Sequence, residues 1–295
     1  MTHDLEILAD RVGRLTGREP RSWRAVDRGY TLAARYVVGF VDGSSAFVKA
    51  AVDRRTAAWL RREQRVYDRV DADFVPQRLA WEDGDAPLLV LEDLSDGVWT
   101  FSWSPDDIAR TRRLLDRLAA TVLPADFPSL SDDADEFQGW RSVAGDPAGF
   151  LSLGLASADW LSSAHPILVK AEQAIRLDGT ALVHMDVRSD NLCFQGERTL
   201  LVDWNWARRG NPAYDQVFRL PSVHMEGGPA PWDITLAEPE IIAAAAGYFA
   251  SRAPLPPDAR PTGPAIRTLQ RRQLASTLPW AARALGLPLP DCVLD

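Results

Sequence analysis

The segment from Leu182 to Asn205 restricts the fold of this chain more than any other, because polar side chains interrupt strand-like apolar sequence there (L-V-H-M-D-V-R-S-D-N-L-C-F-Q-G-E-R-T-L-L-V-D-W-N). Two short apolar runs, residues 192–194 and 200–202, lie on either side of Gly196 and predict a β-hairpin. A hairpin reverses the direction of the chain. Residues just before the first run are therefore expected to lie beside residues just after the second.

Three polar residues occupy these positions. Asp186 and Asn191 precede the hairpin, and Asp203 follows it. The amide oxygen of Asn191 and the carboxylate of Asp203 are hard oxygen ligands of the kind that Mg²⁺ binds, with water and phosphate oxygens completing the octahedron. Asp186 is then available to orient or deprotonate a hydroxyl nucleophile. The alternative is a turn in which Asp186 and Asn191 bond their own backbone, but it does not account for the spacing to Asp203.

The composition is that of an ordinary globular protein. Of 295 residues, 46% are hydrophobic and 25% are charged, which argues against disorder, collagen and coiled coil. The net charge of -8 disfavours binding of nucleic acid through a broad basic face. Cys193 and Cys292 form no C-x-x-C pair, so neither a disulfide framework nor a zinc site is expected. The sequence shows no signal peptide and no membrane-spanning stretch, so we expect a cytoplasmic protein without a membrane partner.

Apolar periodicity predicts a small sheet lobe followed by a mainly helical lobe. In the first lobe it predicts helices and strands at 4–15, 36–41, 46–49, 57–70, 79–81 and 87–91. In the second lobe it predicts helices at 105–123, 158–176, 238–252 and 264–285 and loop or short helix at 124–149. We therefore expect an α+β fold of two lobes, residues 1–93 and 94–295.

Lysine is rare in this chain, since only Lys49 and Lys170 occur among 33 basic residues. Lys49 lies in the predicted strand 46–49, and the predicted helix that follows contains Glu63. A single lysine is more often a surface charge, and Glu63 stands among three arginines in a pattern that also suits a solvated helix face. The sequence alone leaves an ion pair between Lys49 and Glu63 as one of two interpretations.

These residues together resemble the protein-kinase-like superfamily. The pattern His184-x-Asp186-x-x-x-x-Asn191, followed twelve residues later by Asp203, is similar to its catalytic loop and metal-binding aspartate. Trp204 directly after Asp203 is similar to the aminoglycoside and other small-molecule phosphotransferases of that superfamily. The resemblance covers most of the chain. It implies a two-lobed protein-kinase-like fold with a nucleotide between the lobes and Mg²⁺ held by Asn191 and Asp203.

The resemblance also implies how the nucleotide is held. Lys49 would reach the nucleotide phosphates, and Glu63 would be its ion-pair partner. The segment Leu88–Leu94 (L-L-V-L-E-D-L) resembles the hinge between lobes. There the backbone carbonyl of Glu92 and the backbone amide of Leu94 would contact the base.

Residues near the reacting atoms follow from the same resemblance. Asp186 would take the proton of the hydroxyl acceptor, and Arg188 would neutralise charge on the transferred phosphoryl group. His184 would be structural, and Asp215 would be a buried acid that braces the catalytic loop. As an alternative, Arg188 pairs with Asp190 or with another carboxylate.

Two features of the sequence depart from protein kinases. The phosphate-covering loop is expected around residues 28–33, but only Gly29 stands there and no G-x-G-x-x-G occurs. The metal-binding aspartate is followed by Trp204-Asn205 and not by Phe-Gly. Both differences favour the small-molecule branch of the superfamily over protein kinases.

The function implied is transfer of the γ-phosphoryl group of ATP or GTP to a hydroxyl of a small molecule, with an aminoglycoside or another antibiotic among the candidates. A protein kinase would need a longer activation segment than the eleven residues between Asp203 and Asp215. A non-catalytic nucleotide-binding module leaves the complete polar set unexplained, and a metal-dependent hydrolase based on His184 and Asp186 lacks further histidines. The acidic run 132–136 either attracts a cationic acceptor or is a solvated loop.

Overall fold

The structure is a computed structural model that describes residues 2–26, 32–99, 102–257 and 262–291. Most of the expected phosphate-covering loop, Arg28 to Thr31, lies outside the described residues. The chain divides into two compact units. The first comprises residues 1–100 and 190–207, and the second comprises residues 101–189 and 208–295. The first unit therefore includes the hairpin segment 190–207 in addition to the expected sheet lobe 1–93.

The first unit contains both helices and strands, as the sequence predicts. Its helices and sheet strands are α1 Thr2–Thr16, β1 Pro20–Ala25, β2 Ala34–Phe40, β3 Ser45–Ala50, α2 Arg54–Arg69, β4 Arg78–Glu82 and β5 Leu88–Glu92. The strands are antiparallel and lie in the order β1-β2-β3-β5-β4. Asp42-Gly43 forms the turn between β2 and β3, where Gly43 has a φ of 85° that suits glycine.

The two faces of this sheet pack against different helices, because successive side chains of a strand point to opposite faces. Val48 of β3 packs in one cluster with Val12 of α1. Leu89 of β5 packs in another cluster with Leu60 of α2. Asp53 begins α2 by accepting a hydrogen bond from the backbone N–H of Thr56, in a capping box. The face beside α2 is the one that carries Lys49.

Further strands form two short antiparallel pairs. They are β6 Ala181–Val183, β7 Leu192–Gln195, β8 Arg198–Leu201 and β9 Arg208–Gly210. The predicted hairpin is β7 with β8, and β6 pairs with β9 in the second unit. The backbone N–H of Leu201 donates to the carbonyl of Phe74 at 2.9 Å, and this bond ties the hairpin to the first unit.

Helices dominate the second unit. They are α3 Pro105–Ala120, α4 Gly139–Gly145, α5 Pro147–Leu151, α6 Ala158–Gln173, α7 Ala213–Phe218, α8 Leu220–Met225, α9 Pro231–Ile234, α10 Pro239–Arg252 and α11 Gly263–Ala284. Ser104 caps α3 and Pro105 occupies its first turn, as predicted. Gly139 and Gly247 let α4 and α10 approach closely, because a Cβ at Gly139 would lie 1.9 Å from the Gly247 carbonyl oxygen. Within the described residues, no helix has the length and apolar character needed to cross a membrane.

Glu172 of α6 fixes the start of α4. Its carboxylate is only 1% exposed and accepts hydrogen bonds from the backbone N–H groups of Trp140 (2.9 Å) and Arg141 (2.8 Å). These N–H groups lie in the first turn of α4 and have no partner inside that helix. A side chain more than 30 residues away in sequence therefore caps α4, and the local sequence of α4 gives no sign of it.

We expect Glu172→Ala to lower the free energy of unfolding by about 3 kcal/mol, because two buried N–H groups lose their acceptor. Denaturant unfolding measures this loss. Lys170→Ala, an exposed change on the same helix, is the control and should alter stability little. Equal stability of the two variants would contradict the capping role.

The same carboxyl makes stability depend on pH. Burial raises the pKa of Glu172 from its usual 4.5 to about 7. Because the folded pKa is above the unfolded one, its contribution is fully present below about pH 4.5 and is lost as the pH rises through 7. The fall in melting temperature over this window should be smaller in Glu172→Ala than in the wild type.

Candidate active site

Lys49 is buried and lies between two carboxylates of the first unit. Its side chain projects from β3, the residue is 5% exposed, and its Nζ lies 2.6 Å from Glu63 Oε2 and 2.6 Å from Asp203 Oδ1. Burial acts to lower the pKa of Lys49, but the two carboxylates outweigh burial and the pKa is raised. The ion pair with Glu63 is therefore present, and the surface-charge interpretation of Lys49 is wrong.

Glu63 faces inward from α2 and is 1% exposed, although arginines surround it in the sequence. A helix places residues three or four apart on one side. Glu63 shares the buried side of α2 with Leu60 and not with the neighbouring arginines. Burial raises the pKa of Glu63, and the nearby Lys49 ammonium opposes this shift. A buried lysine and a buried glutamate in contact stabilise each other's charge, whereas either one alone would be costly.

Asp203 has an unusual backbone conformation. Its φ of 66° and ψ of 55° are left-handed, and a short 3₁₀ helix, Trp204–Trp206, follows directly. Trp204 is completely buried, packs against Phe74 and donates from Nε1 to the Leu201 carbonyl at 2.9 Å. In the amide orientation that satisfies its neighbours, Asn205 donates to Asp203 Oδ1 at 3.2 Å. The buried tryptophan and the sharp turn together hold the carboxylate beside Lys49.

Asn191 lies next to Asp203 along the hairpin. Its backbone carbonyl accepts a hydrogen bond from the N–H of Val202 at 3.0 Å, so the residue before β7 is fixed beside the residue after β8. Asn191 is buried. One amide oxygen and one carboxylate suit Mg²⁺, which takes one or two protein oxygens and completes its shell with phosphate and water. The donor types of this pair therefore fit the metal that the resemblance implies.

In the second unit, the backbone before Asp186 is held by a buried acid. Asp215 accepts hydrogen bonds from the backbone N–H groups of His184 (2.7 Å) and Met185 (2.8 Å). Met185 has a φ of 70°, a left-handed conformation that is rare outside glycine. Burial raises the pKa of Asp215 to about 7, although the two N–H groups oppose this shift. Asp215 thus braces this loop, as the resemblance implied.

Asp186 and Arg188 lie together at the end of this loop. The backbone N–H of Asp186 donates to His184 Nδ1 at 3.2 Å, which gives His184 a structural contact. Arg188 Nε lies 3.2 Å from Asp186 Oδ1. Asp186 is therefore one carboxylate partner of Arg188 in the structure, among the other carboxylates that the sequence left open. The side chain of Asp186 is 28% exposed, so it is partly accessible to solvent.

Sequence patterns missed one support of this loop. Ser189 donates from Oγ to Glu226 at 2.9 Å, and Trp103 donates from Nε1 to the other oxygen of Glu226 at 2.8 Å. The three residues are far apart in the chain. Hydrogen bonds between such distant residues leave no local signal in the sequence.

The predicted hinge residues make contacts with other parts of the first unit. The Glu92 carboxylate binds Arg198 of β8 through two hydrogen bonds, at 2.7 and 2.9 Å. The Leu94 carbonyl accepts hydrogen bonds from Gly97 N and Trp99 Nε1. Contact with the nucleotide base is expected from other groups, namely the backbone carbonyl of Glu92 and the backbone amide of Leu94. Their role stays a prediction.

Comparison with known proteins points to one family. The sequence pattern of the phosphotransferase enzyme family matches residues 22–261. No curated protein sequence matches this chain significantly. Among solved structures, spectinomycin phosphotransferase in complex with ADP and spectinomycin is similar, with a TM-score of 0.57, 14% identity and 84% of each chain covered.

Two further solved structures have similar folds. An aminoglycoside phosphotransferase from Alicyclobacillus acidocaldarius has a TM-score of 0.55 and 15% identity, covering 90% of this chain and 91% of its own. An ethanolamine kinase from Plasmodium vivax has a TM-score of 0.55 and 13% identity, covering 89% of this chain and 83% of its own. At these identities the likeness concerns the fold, which is protein-kinase-like. Since the match to the family pattern spans most of the sequence, the chain belongs to the phosphotransferase enzyme family.

Proposed function

We propose that this phosphotransferase moves the γ-phosphoryl group of ATP or GTP to a hydroxyl group of a small molecule. The observation that carries the proposal is the buried Lys49 between Glu63 and Asp203, with both contacts at 2.6 Å. A packed apolar side chain would fill this place at lower cost. A buried lysine and two carboxylates are instead suited to a ligand that brings both anionic phosphates and a cation.

Lys49 binds the phosphates, and Glu63 keeps its ammonium group in place. Asn191 and Asp203 are the residues that would hold Mg²⁺. When bound, this ion supplies charge neutralisation between phosphate oxygens. Asp203 is also a partner of Lys49. The same carboxylate would therefore serve both the lysine and the metal.

Asp186 accepts the proton of the acceptor hydroxyl, and Arg188 neutralises charge on the transferred group. The guanidinium of Arg188 has several donors in one plane, which suits a phosphoryl group. Its Nε lies 3.2 Å from Asp186 Oδ1, so the two charged groups lie side by side. Most catalysis of phosphoryl transfer comes from such positioning and from electrostatic stabilisation.

The acidic run at 132–136 gives no support to recognition of a polycationic acceptor. Asp133 pairs with Arg208 at 2.6 Å, and Glu136 pairs with Arg252. Asp132 accepts a hydrogen bond from the N–H of Ser129. Asp133 and Glu136 therefore neutralise arginines, and Asp132 caps the short 3₁₀ helix that begins after Ser129. Aminoglycosides therefore stand beside other antibiotics, sugars and amino alcohols as candidate acceptors.

The test is nucleotide consumption with Mg²⁺ over an acceptor panel of these four classes, with ATP and GTP in separate arms. We expect turnover that depends on one class of acceptor, and mass spectrometry should show that acceptor gaining one phosphoryl group. Calorimetry with ADP and GDP provides a readout independent of the acceptor. A protein that binds neither nucleotide and phosphorylates no acceptor would contradict the proposal.

A further inference from the structure

Arg35 lies directly beside Lys49 in the sheet of the first unit. In the register of β2 and β3, Arg35 is opposite Lys49, and Lys49 is opposite Leu89 of β5. Side chains directly opposite each other in antiparallel strands lie on the same face, with Cβ atoms about 5 Å apart. Arg35, Lys49 and Leu89 therefore form one row across the face that packs against α2.

Arg35 lies near the charged groups that surround Lys49. Arg35 is half-buried. Burial lowers its pKa, while attraction to Asp203 and Glu63 raises it. Both carboxylates also contact Lys49. Arg35 and Lys49 are therefore two cations that act on the same two carboxylates.

A partly buried arginine at this position needs an explanation. The two carboxylates already form close contacts with Lys49, so an ion pair for Lys49 does not require a second cation. A nucleoside triphosphate carries more negative charge than one lysine and one Mg²⁺ can balance, and Glu63 and Asp203 already contact that lysine. A guanidinium binds two oxygens of such a group at once, whereas an ammonium acts as a point charge.

We infer that Arg35 is a second phosphate-binding residue, which contacts the nucleotide phosphates together with Lys49 from the neighbouring strand. This inference rests on the proposed function, since it assumes that the nucleotide binds beside Lys49. It assigns Arg35 to binding of the phosphates and not of the base. The pattern of affinities for ligands with and without phosphates therefore tests it.

The experiment measures the Kd of Mg-ADP and of adenosine by calorimetry for the intact protein and for Arg35→Met; GDP and guanosine replace them if the protein prefers guanine. Methionine keeps much of the apolar stem and removes the charge. We expect the Kd for the diphosphate to rise about 10- to 100-fold, as for loss of hydrogen bonds to a charged group. The Kd for the nucleoside should stay the same. Arg21→Met, an exposed change on β1, is the control and should bind both ligands as the wild type does.

Arg35→Lys keeps the charge but loses the planar fork, so it should show a smaller loss for the diphosphate and no loss for the nucleoside. If the melting temperature shows that Arg35→Met does not fold, Arg35→Lys replaces it in the test. Wild-type affinity of Arg35→Met for the diphosphate would overturn the inference and leave the proposed function intact. An equal loss for diphosphate and nucleoside would show a structural role and overturn it too. Failure of the wild type to bind ADP and GDP would overturn the proposed function as well.

Discussion

Replacing Asp186 by asparagine lowers kcat by about 10³-fold, the expected loss when a positioned proton acceptor is removed. Asparagine has nearly the same shape, so the backbone N–H of this residue can still donate to His184. Because the change removes the proposed base and does not touch Lys49, we expect the KM for the nucleotide to change little. Steady-state kinetics with the acceptor identified by the panel measures both constants.

Asp190→Asn is the matched control for this variant. Asp190 is an exposed acid of the same loop, four residues further along the chain, and it should keep most of the wild-type kcat. Circular dichroism and melting temperature show whether each variant is folded. A folded Asp186→Asn enzyme with the wild-type rate would exclude Asp186 as the proton acceptor.

Asp203→Asn should also abolish nearly all turnover, with a loss of kcat on the order of 10³-fold, because in the proposed mechanism one carboxylate would serve both Lys49 and the metal. Asparagine tolerates the left-handed backbone at this position. The variant therefore removes the negative charge and leaves the turn before Trp204 in place. We expect the concentration of Mg²⁺ needed for half-maximal activity to increase as well. Kinetics at a series of Mg²⁺ concentrations measures both effects.

Glu197→Gln, an exposed charge in the turn between β7 and β8, controls for the loss of a negative charge on this hairpin. It should keep the wild-type rate and the wild-type response to Mg²⁺. If Asp203→Asn differed from Glu197→Gln in neither respect, the metal-binding role of Asp203 would have to be abandoned. If a lower melting temperature were the only change in Asp203→Asn, the role of Asp203 would be structural.

Local patterns predicted those parts of the site that depend on local structure. The hairpin of β7 and β8 follows from two apolar runs around Gly196. As predicted, its two ends lie together, since the N–H of Val202 donates to the carbonyl of Asn191. The ion pair of Lys49 with Glu63 was one of two interpretations. Only the resemblance favoured it, because three arginines around Glu63 equally suit a solvent-exposed helix. The direction of Glu63 is decided by how α2 packs on the sheet.

Sequence patterns could not predict contacts that depend on strand register or on distant parts of the chain. Arg35 meets Lys49 because β2 and β3 pair with one particular register, and a shift by one residue would send Arg35 to the opposite face. Glu172 caps α4 from another helix. Grouping of residues 190–207 with the first unit depends on bonds such as that from Leu201 to Phe74. Periodicity describes faces of single elements and cannot specify these partners.

The left-handed backbone at Asp203 limits which amino acids selection can accept there. Glycine, asparagine and aspartate enter this conformation at low cost, whereas most other residues do not. A proposed partner of Lys49 and Mg²⁺ must also carry a negative charge. Only aspartate meets both conditions. Glutamate, which conserves the charge in many other settings, would adopt this backbone conformation only at a cost of about 1–2 kcal/mol.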